Sequence, residues 1–291
     1  MYTPHDVGLN TLPFPSSWRQ ITSLTIKFSG HKTDTIGADM LRVCVNLEEF
    51  IIAGHCTGLG SNGSKPVTLN HLQKLHTYCS HNKFLLSLKT PCIQDFAVKA
   101  SDSDYLSDDA VPHYIKNNGS TLLKLSIAPV SFRSGFVESI PWLGSLMELK
   151  LYDNDLDANG STMMYKILSS LVVNPEMDPS TVPLPRLESL EIICQAHEVN
   201  QRMFMKVIKS RWWSDEEERQ KQGQRSLSRI KRSVLFNVHT ELNMFCRDDV
   251  DDLRAEGMRI EYLAPFDGMD KDDFYTSRYY TYYPSPLDPP E

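Results

Sequence analysis

At 291 residues with 41% apolar side chains the chain can bury a substantial core, and no apolar run approaches the roughly 20 residues a membrane-spanning helix needs. A formal net charge of -7 argues against a general nucleic-acid surface. The opening residues, MYTPHDVGLNTLP, hold neither a basic leader nor an apolar signal stretch, so an intracellular protein, cytoplasmic or nuclear, is expected.

Triplets of the form apolar-x-x-apolar-x-apolar recur along the chain. Ile21-x-x-Leu24-x-Ile26 opens the series; Leu47-x-x-Phe50-x-Ile52 follows 26 residues later, Leu72-x-x-Leu75-x-Thr77 after 25 and Ile93-x-x-Phe96-x-Val98 after 21. Leu122-x-x-Leu125-x-Ile127 comes after a further 29, Leu146-x-x-Leu149-x-Leu151 after 24 and Leu187-x-x-Leu190-x-Ile192 after 41. Degenerate strands over Val234 to Val238 and Met258 to Leu263 close the array. Most intervals lie in or near the range of about 20 to 29 residues that defines leucine-rich repeats. The copy at Leu146 fills every position of the pattern L-x-x-L-x-L-x-x-N-x-L, through Asn154 and Leu156. In such a repeat the alternating leucines point inward and the asparagine bonds backbone groups of neighbouring coils. One coil cannot bury its own face, so copies must stack.

Helical patterns are expected between the strands. Residues 36–45 place Ile36, Met40, Leu41 and Cys44 on one face, and 109–116 open with acids and stop at Asn117-Asn118-Gly119. Residues 161–173 gather Met164, Ile167, Leu168 and Leu171; 199–213 and 243–256 complete the set, the last ending before Gly257. The expected fold is therefore α/β, a leucine-rich repeat solenoid (horseshoe) with a concave parallel sheet and convex helices. It occupies residues 16–263, after a short extension over 1–15 and before an acidic Tyr/Pro-rich tail over 264–291 for which disorder is the default. A proline-rich loop over Pro175 to Pro185 accounts for the long gap before Leu187, and Asp215 to Gln224 is a charged surface excursion.

Several motifs imitate chemistry without its context, so no cofactor, no metal and no catalytic residue is expected, and the protein is read as no enzyme. Gly58-x-Gly60-x-x-Gly63 is a formal dinucleotide fingerprint, but Pro66-Val-Thr-Leu follows instead of a helix, and a flexible loop between coils is the expectation. Asp155-x-Asp157-x-Asn159-Gly160 begins like a calcium loop, yet Lys166 stands where a bidentate glutamate should close it. His71, His76, Cys79 and His81 have the wrong spacing for a structural zinc site. The six cysteines are scattered without a C-x-x-C pair, as reduced intracellular thiols are.

What remains is surface. Side chains between the inward leucines alternate to the other side of the strand and line the concave face. From these rows Lys27, His76, Tyr78, Lys99, Lys150, Tyr152 and Glu191 are the candidate partner-binding residues. Neither nucleic acid nor membrane is expected as a partner.

The order WxQITSLTI, LRxCxNLEEF, LxHLQKLHT, LLxLxTPCIQDF, IPWLxSLxELxL, LPxLESLEI and KSRWW resembles the leucine-rich repeat region of fungal F-box-type proteins. Here those pieces are Trp18 to Ile26, Leu41 to Phe50, Leu69 to Thr77, Leu85 to Phe96, Ile140 to Leu151, Leu184 to Ile192 and Lys209 to Trp213. TPCIQDF and SRWW are its most distinctive parts. The resemblance implies a non-catalytic protein-protein interaction solenoid, the substrate-recognition part of an F-box-type ubiquitin-ligase subunit. Residues 1–15 leave no room for the F-box itself, so the expected partner is a target protein on the concave face, with the ligase adaptor bound only if an F-box is missing from this sequence. A stand-alone leucine-rich repeat scaffold or a small-GTPase regulator are the alternatives.

Overall fold

The computed structural model describes residues 16–27, 34–54, 56–60, 66–79, 82–99, 110–128, 135–152, 158–174, 177–178, 181–194, 198–213, 227–237 and 244–263. The fold is α/β, with parallel strands flanked by helices. The chain divides into two compact units, Met1–Leu122 and Leu123–Glu291.

The first unit runs β1 (Ser23–Lys27), β2 (Asp34–Gly37), α1 (Ala38–Val43), β3 (Glu49–Gly54), β4 (Cys56–Gly60), β5 (Val67–Thr68), β6 (Lys74–Cys79), β7 (Leu88–Lys89), β8 (Asp95–Lys99) and α2 (Ala110–Asn118). Strands β1, β3, β6 and β8 pair side by side in parallel, and each step joins equivalent repeat positions: Leu24 faces Phe50, Phe50 faces Leu75, and Leu75 faces Phe96. Phe50, Ile52, Leu75 and Phe96 are fully buried, and the Tyr114 ring of α2 packs 4.7 Å from that of Phe96. Leu24 and Ile26, expected to be buried, are half-buried, β1 standing at the edge of the ladder and pairing, among the described strands, with β3 alone. Two minor parallel ladders, β2 with β4 and β5 with β7, lie outside the main one.

The helix expected over 36–45 is shorter. Asp34–Gly37 is a strand, and the helix begins at Ala38. The β-branched Thr35 and Ile36 followed by Gly37 favour an extended start, and pairing with β4 supplies the hydrogen bonds. The same pairing places Gly58 and Gly60 in a strand, where a loop was expected.

The second unit runs β9 (Lys124–Ala128), α3 (Gly135–Ser139), β10 (Glu148–Tyr152), α4 (Ala158–Leu171), β11 (Ser189–Cys194), α5 (Glu198–Arg211), β12 (Arg232–Asn237), α6 (Met244–Ala255) and β13 (Arg259–Leu263). Its five strands are again parallel and in sequence order, with Leu125, Leu149, Leu190, Ser233 and Ile260 in one row. The 41-residue step from Glu148 to Ser189 preserves the register, so the insertion is absorbed outside the ladder. Gly257 adopts φ 93°, the left-handed position that ends α6, and Met258 N–H donates to Leu253 C=O across it.

One turn recurs before the strands. The N–H of the first apolar residue of each triplet donates to the carbonyl three residues earlier: Ile21 to Trp18, Leu47 to Cys44, Leu72 to Leu69, Ile93 to Thr90, Leu122 to Gly119, Leu146 to Leu143 and Leu187 to Leu184. The carbonyl of the next residue then accepts two successive N–H groups from the following repeat. Thr22 C=O receives Glu48 and Glu49, Glu48 receives Gln73 and Lys74, and Leu123 receives Met147 and Glu148. β12 departs from this, since Ile230 N–H donates to Arg211 C=O.

The two distinctive sequence pieces are built into the scaffold. In TPCIQDF, Thr90 N–H donates to Asn118 Oδ1 at 2.9 Å and its hydroxyl pairs with Tyr114, fixing the turn before β8 to α2; burial pushes the Tyr114 phenol well above its ordinary range. In SRWW, Arg211 is fully buried and its guanidinium is met by backbone carbonyls: its Nε donates to Leu171 C=O and its Nη1 to Leu184 C=O, both at 3.0 Å, and Nη2 donates to Pro183 C=O. Those carbonyls belong to the end of α4 and the insertion before β11, where Leu184 is held at φ 45°. Trp212 Nε1 donates to Glu256 at 2.7 Å, and the Arg229 guanidinium lies 5.0 Å over its ring. The guanidinium fork is thus a clasp that closes the insertion against α5.

Truncating Leu149 or Leu151, both 1% exposed, to alanine is expected to cost about 2 to 5 kcal/mol in denaturant unfolding, whereas Leu24→Ala on the half-buried edge costs on the order of 1 kcal/mol. Equal losses at the three positions would contradict the burial described. Arg211→Lys keeps the charge but loses the fork, and unfolding should show a loss of about 2 to 4 kcal/mol; an unchanged midpoint would show that the clasp holds nothing.

Candidate protein-interaction surface

Because side chains alternate across a strand, the residues between the buried rows share the opposite face. In the first unit that face has three rows. Ser23, Glu49, Lys74 and Asp95 stand at the strand starts, Thr25, Ile51, His76 and Ala97 in the middle, and Lys27, Ala53, Tyr78 and Lys99 at the strand ends.

The first row is an internal ion-pair network. Glu49 accepts from Ser23 at 2.9 Å and meets Lys74 Nζ at 2.6 Å, so its carboxyl is held below the ordinary range chiefly by the Lys74 hydrogen bond, against a smaller opposing effect of burial. His76 Nε2 lies 3.3 Å from Asp95 Oδ1, and its ring meets Tyr78 edge-on with centroids 6.3 Å apart. Tyr78 is half-buried; burial, with the Asp95 charge second, pushes its phenol up. Of the expected binding residues here, Lys27 is exposed and His76, Tyr78 and Lys99 are half-buried, so all four reach solvent.

In the second unit the equivalent face carries a ladder of alternating charge. Lys124 Nζ is 3.1 Å from Glu148, and Lys150 Nζ is 3.2 Å from Glu191 Oε2. Arg232 lies 3.8 Å from that same oxygen and 3.6 Å from Glu261, which also meets Arg259 at 3.2 Å. Two expectations fail here. Glu191 is 1% exposed and Tyr152 2% exposed, so neither presents its side chain to solvent. Glu191 lies between Lys150 and Arg232, which cover it, and neither of its oxygens receives a hydrogen bond of good geometry, so the pairing is Coulombic. Tyr152 stands in register beside Ile193, itself 9% exposed, and this aromatic–aliphatic pair removes both from water. Lys150 alone of the three expected residues in this unit remains partly exposed.

The residues just before the first strand leucine were overlooked: Glu49, Lys74, Asp95, Lys124 and Glu148 share the outward face by the same alternation. Extending the period of two by one residue upstream identifies them. Arg232, Arg259 and Glu261 were missed because the last two strands carry degenerate triplets.

Of the zinc-like set, His71 is exposed on a turn and His76 stands on the sheet face beside Asp95, while His81 lies outside the described residues. Asp155 and Asp157 of the calcium-like loop, Asn154, the excursion over 215–224 and the tail also lie outside them. Among the described residues no group of three or more His, Cys, Asp and Glu is placed to hold a metal ion, and no helix is long and apolar enough to cross a membrane.

Titrating the Glu49 carboxyl by carbon NMR should give a midpoint below the ordinary 4.5, and Lys74→Met should return it toward that value. Since the folded state binds this proton more weakly, the pairing stabilises the fold above the unfolded value and is lost as the pH falls through the folded one. An unperturbed midpoint in the parent protein would remove the network.

No family model and no curated protein sequence matches the chain.

Proposed function

We propose that this chain is a leucine-rich repeat solenoid whose work is to hold another protein on the polar face of its parallel strands, as the substrate-recognition part of an F-box-type ubiquitin-ligase subunit. The reading is one of binding, without chemistry.

The observation that carries it is the recurrence of one turn and one register at every leucine triplet, with polar and aromatic side chains ordered in rows on the face opposite the core. Repeats stacked in this way offer an extended surface on which residues distant in sequence act together, which is how repeat proteins recognise partners. In the first unit Lys27, His76, Tyr78 and Lys99 supply the accessible groups; in the second Lys150 does, beside the buried Glu191. An intracellular setting belongs to the proposal, since Cys44, Cys92 and Cys246 are free thiols. The resemblance to fungal F-box-type proteins supplies the ligase context, and the sheet face supplies the binding role.

A photoreactive phenylalanine analogue placed at Tyr78, with a second placed at the exposed Tyr165 of α4 as control, tests the reading in fungal cells. A discrete protein adduct is expected from position 78 and none from 165, and Tyr78→Ala should weaken the captured partner by roughly 1 to 4 kcal/mol while leaving unfolding almost unchanged. Adducts at 165 alone would place recognition on the helices instead.

A further inference from the structure

Three Asn-Gly-Ser sequences, starting at Asn62, Asn118 and Asn159, match the acceptor pattern Asn-x-Ser/Thr for N-linked glycans, and the binding role uses none of them. Asn118 is the one of the three whose side chain lies within the described residues, and it is 5% exposed at the end of α2. A working acceptor belongs on a surface loop, because its Nδ2 must reach the transferase and then carry a sugar.

Both ends of the Asn118 amide are committed inward. Its Oδ1 accepts from Thr90 N–H at 2.9 Å, and its Nδ2 donates to Tyr114 C=O at 2.9 Å. Thr90 and Tyr114 are fully buried, their hydroxyls pair with each other, and the Tyr114 ring packs on Phe96 of β8. The residues that follow are held as well. Asn118 C=O accepts from Thr121 Oγ1 at 3.3 Å, and the buried Gly119 accepts from Leu122 N–H in the recurring turn. One amide thus ties the end of α2 to the turn before β8.

Glycosyl transfer would undo this tie. Nδ2 would form a bond to the anomeric carbon of an oligosaccharide carried on a lipid diphosphate. The bond from that carbon to the diphosphate oxygen would break, and one Nδ2 proton would pass to a base of the transferase. The sugar ring would need space beside Tyr114 C=O, and an interior packed to crystal density holds no such room.

Resting on the binding reading above, whose intracellular setting it deepens, we infer that Asn118 is an acceptor sequence the fold excludes: glycosylation at Asn118 and folding of the first unit are mutually exclusive. The chain reaches its native state where the oligosaccharide donor is absent, so the partner it holds is a protein of the cytosol or nucleus.

The test compares the full chain made in the yeast cytosol with the same chain sent into the secretory route behind a cleavable signal sequence, under dithiothreitol so that the six cysteines stay reduced. Both carry Ser64→Ala and Ser161→Ala, which leave Asn118 as the single acceptor of this pattern. If those two substitutions prevent cytosolic folding, site-resolved occupancy in the chain without them gives the same reading. Limited proteolysis separates folded from unfolded molecules, and enzymatic glycan release, which converts a modified asparagine to aspartate, reports occupancy by peptide mass. Glycan at position 118 should appear in the protease-sensitive pool and be absent from the resistant one. Ser120→Ala removes the acceptor pattern at an exposed residue without touching either amide bond; it should raise the resistant share of the secreted chain roughly tenfold and leave the cytosolic chain unchanged. In the cytosolic chain Asn118→Asp keeps the accepting oxygen but loses the donor to Tyr114, and should lower the folded-to-unfolded ratio about tenfold. A protease-resistant chain bearing the glycan at 118, no glycan at 118 in either pool, no gain from Ser120→Ala, or an Asn118→Asp chain of parental stability would overturn the inference. The photoreactive residue at position 78 of the cytosolic chain reads the binding role separately. An adduct there together with a tolerated glycan at 118 removes this inference alone, and no adduct together with an excluded glycan removes the binding reading alone.

Discussion

One carbonyl oxygen at the start of a strand accepting two successive N–H groups from the next repeat is the constraint on which the rest of each unit depends. It appears at Thr22, Glu48 and Gln73 in the first unit and at Leu123, Met147 and Glu188 in the second. Each such oxygen follows an i to i+3 turn, so the turn fixes where the strand begins and the shared acceptor fixes where its neighbour begins. A slip of one residue would exchange every inward side chain for an outward one. With both ends of the slip forbidden, Phe50, Leu75 and Phe96 fall into one buried row and Lys27, Tyr78 and Lys99 into one outward row.

The same register decides the electrostatics. Side chains in neighbouring strands lie close enough to pair directly, so the charge pattern of a face follows from which residue each repeat places at a given position. In the second unit cations and acids alternate across strands, and the polar groups are largely engaged with one another, to the point that Glu191 is carried into a nearly water-free place. In the first unit Glu49 pairs with Lys74, and Asp95 with His76 of the middle row. The charge pattern of each face is therefore written in a handful of positions spaced by one repeat.

Much of this was legible in the sequence, because the triplets report the inward rows directly: all seven first positions proved to close the same turn, and the parallel ladders follow the intervals between them. The limits were physical. Thr35, Ile36 and Gly37 fit a helical face by apolar spacing, but their backbone preferences and the partner at β4 favoured a strand, and the partner is invisible to a local pattern. Tyr152 and Glu191 occupy outward positions by alternation, yet outward does not mean exposed when Ile193 or a pair of long cationic side chains lies alongside. The SRWW piece stood out without revealing its task, since the carbonyls that Arg211 gathers come from residues 27 to 40 positions away.

Register across the long insertion tests the repeat architecture most directly. A chain carrying Glu148→Cys with Ser189→Cys places two thiols at facing positions of β10 and β11, within the Cα separation of about 4.4 to 6.8 Å that a disulfide accepts. Its counterpart, Glu148→Cys with Glu191→Cys, is offset by two residues to about 8 Å, beyond that range. Mild oxidation followed by peptide mapping should yield the cross-link in the facing pair and little in the offset pair. Preferential cross-linking of the offset pair, or none in the facing pair of a folded protein, would contradict the parallel in-register stacking from which both the core and the polar face are derived.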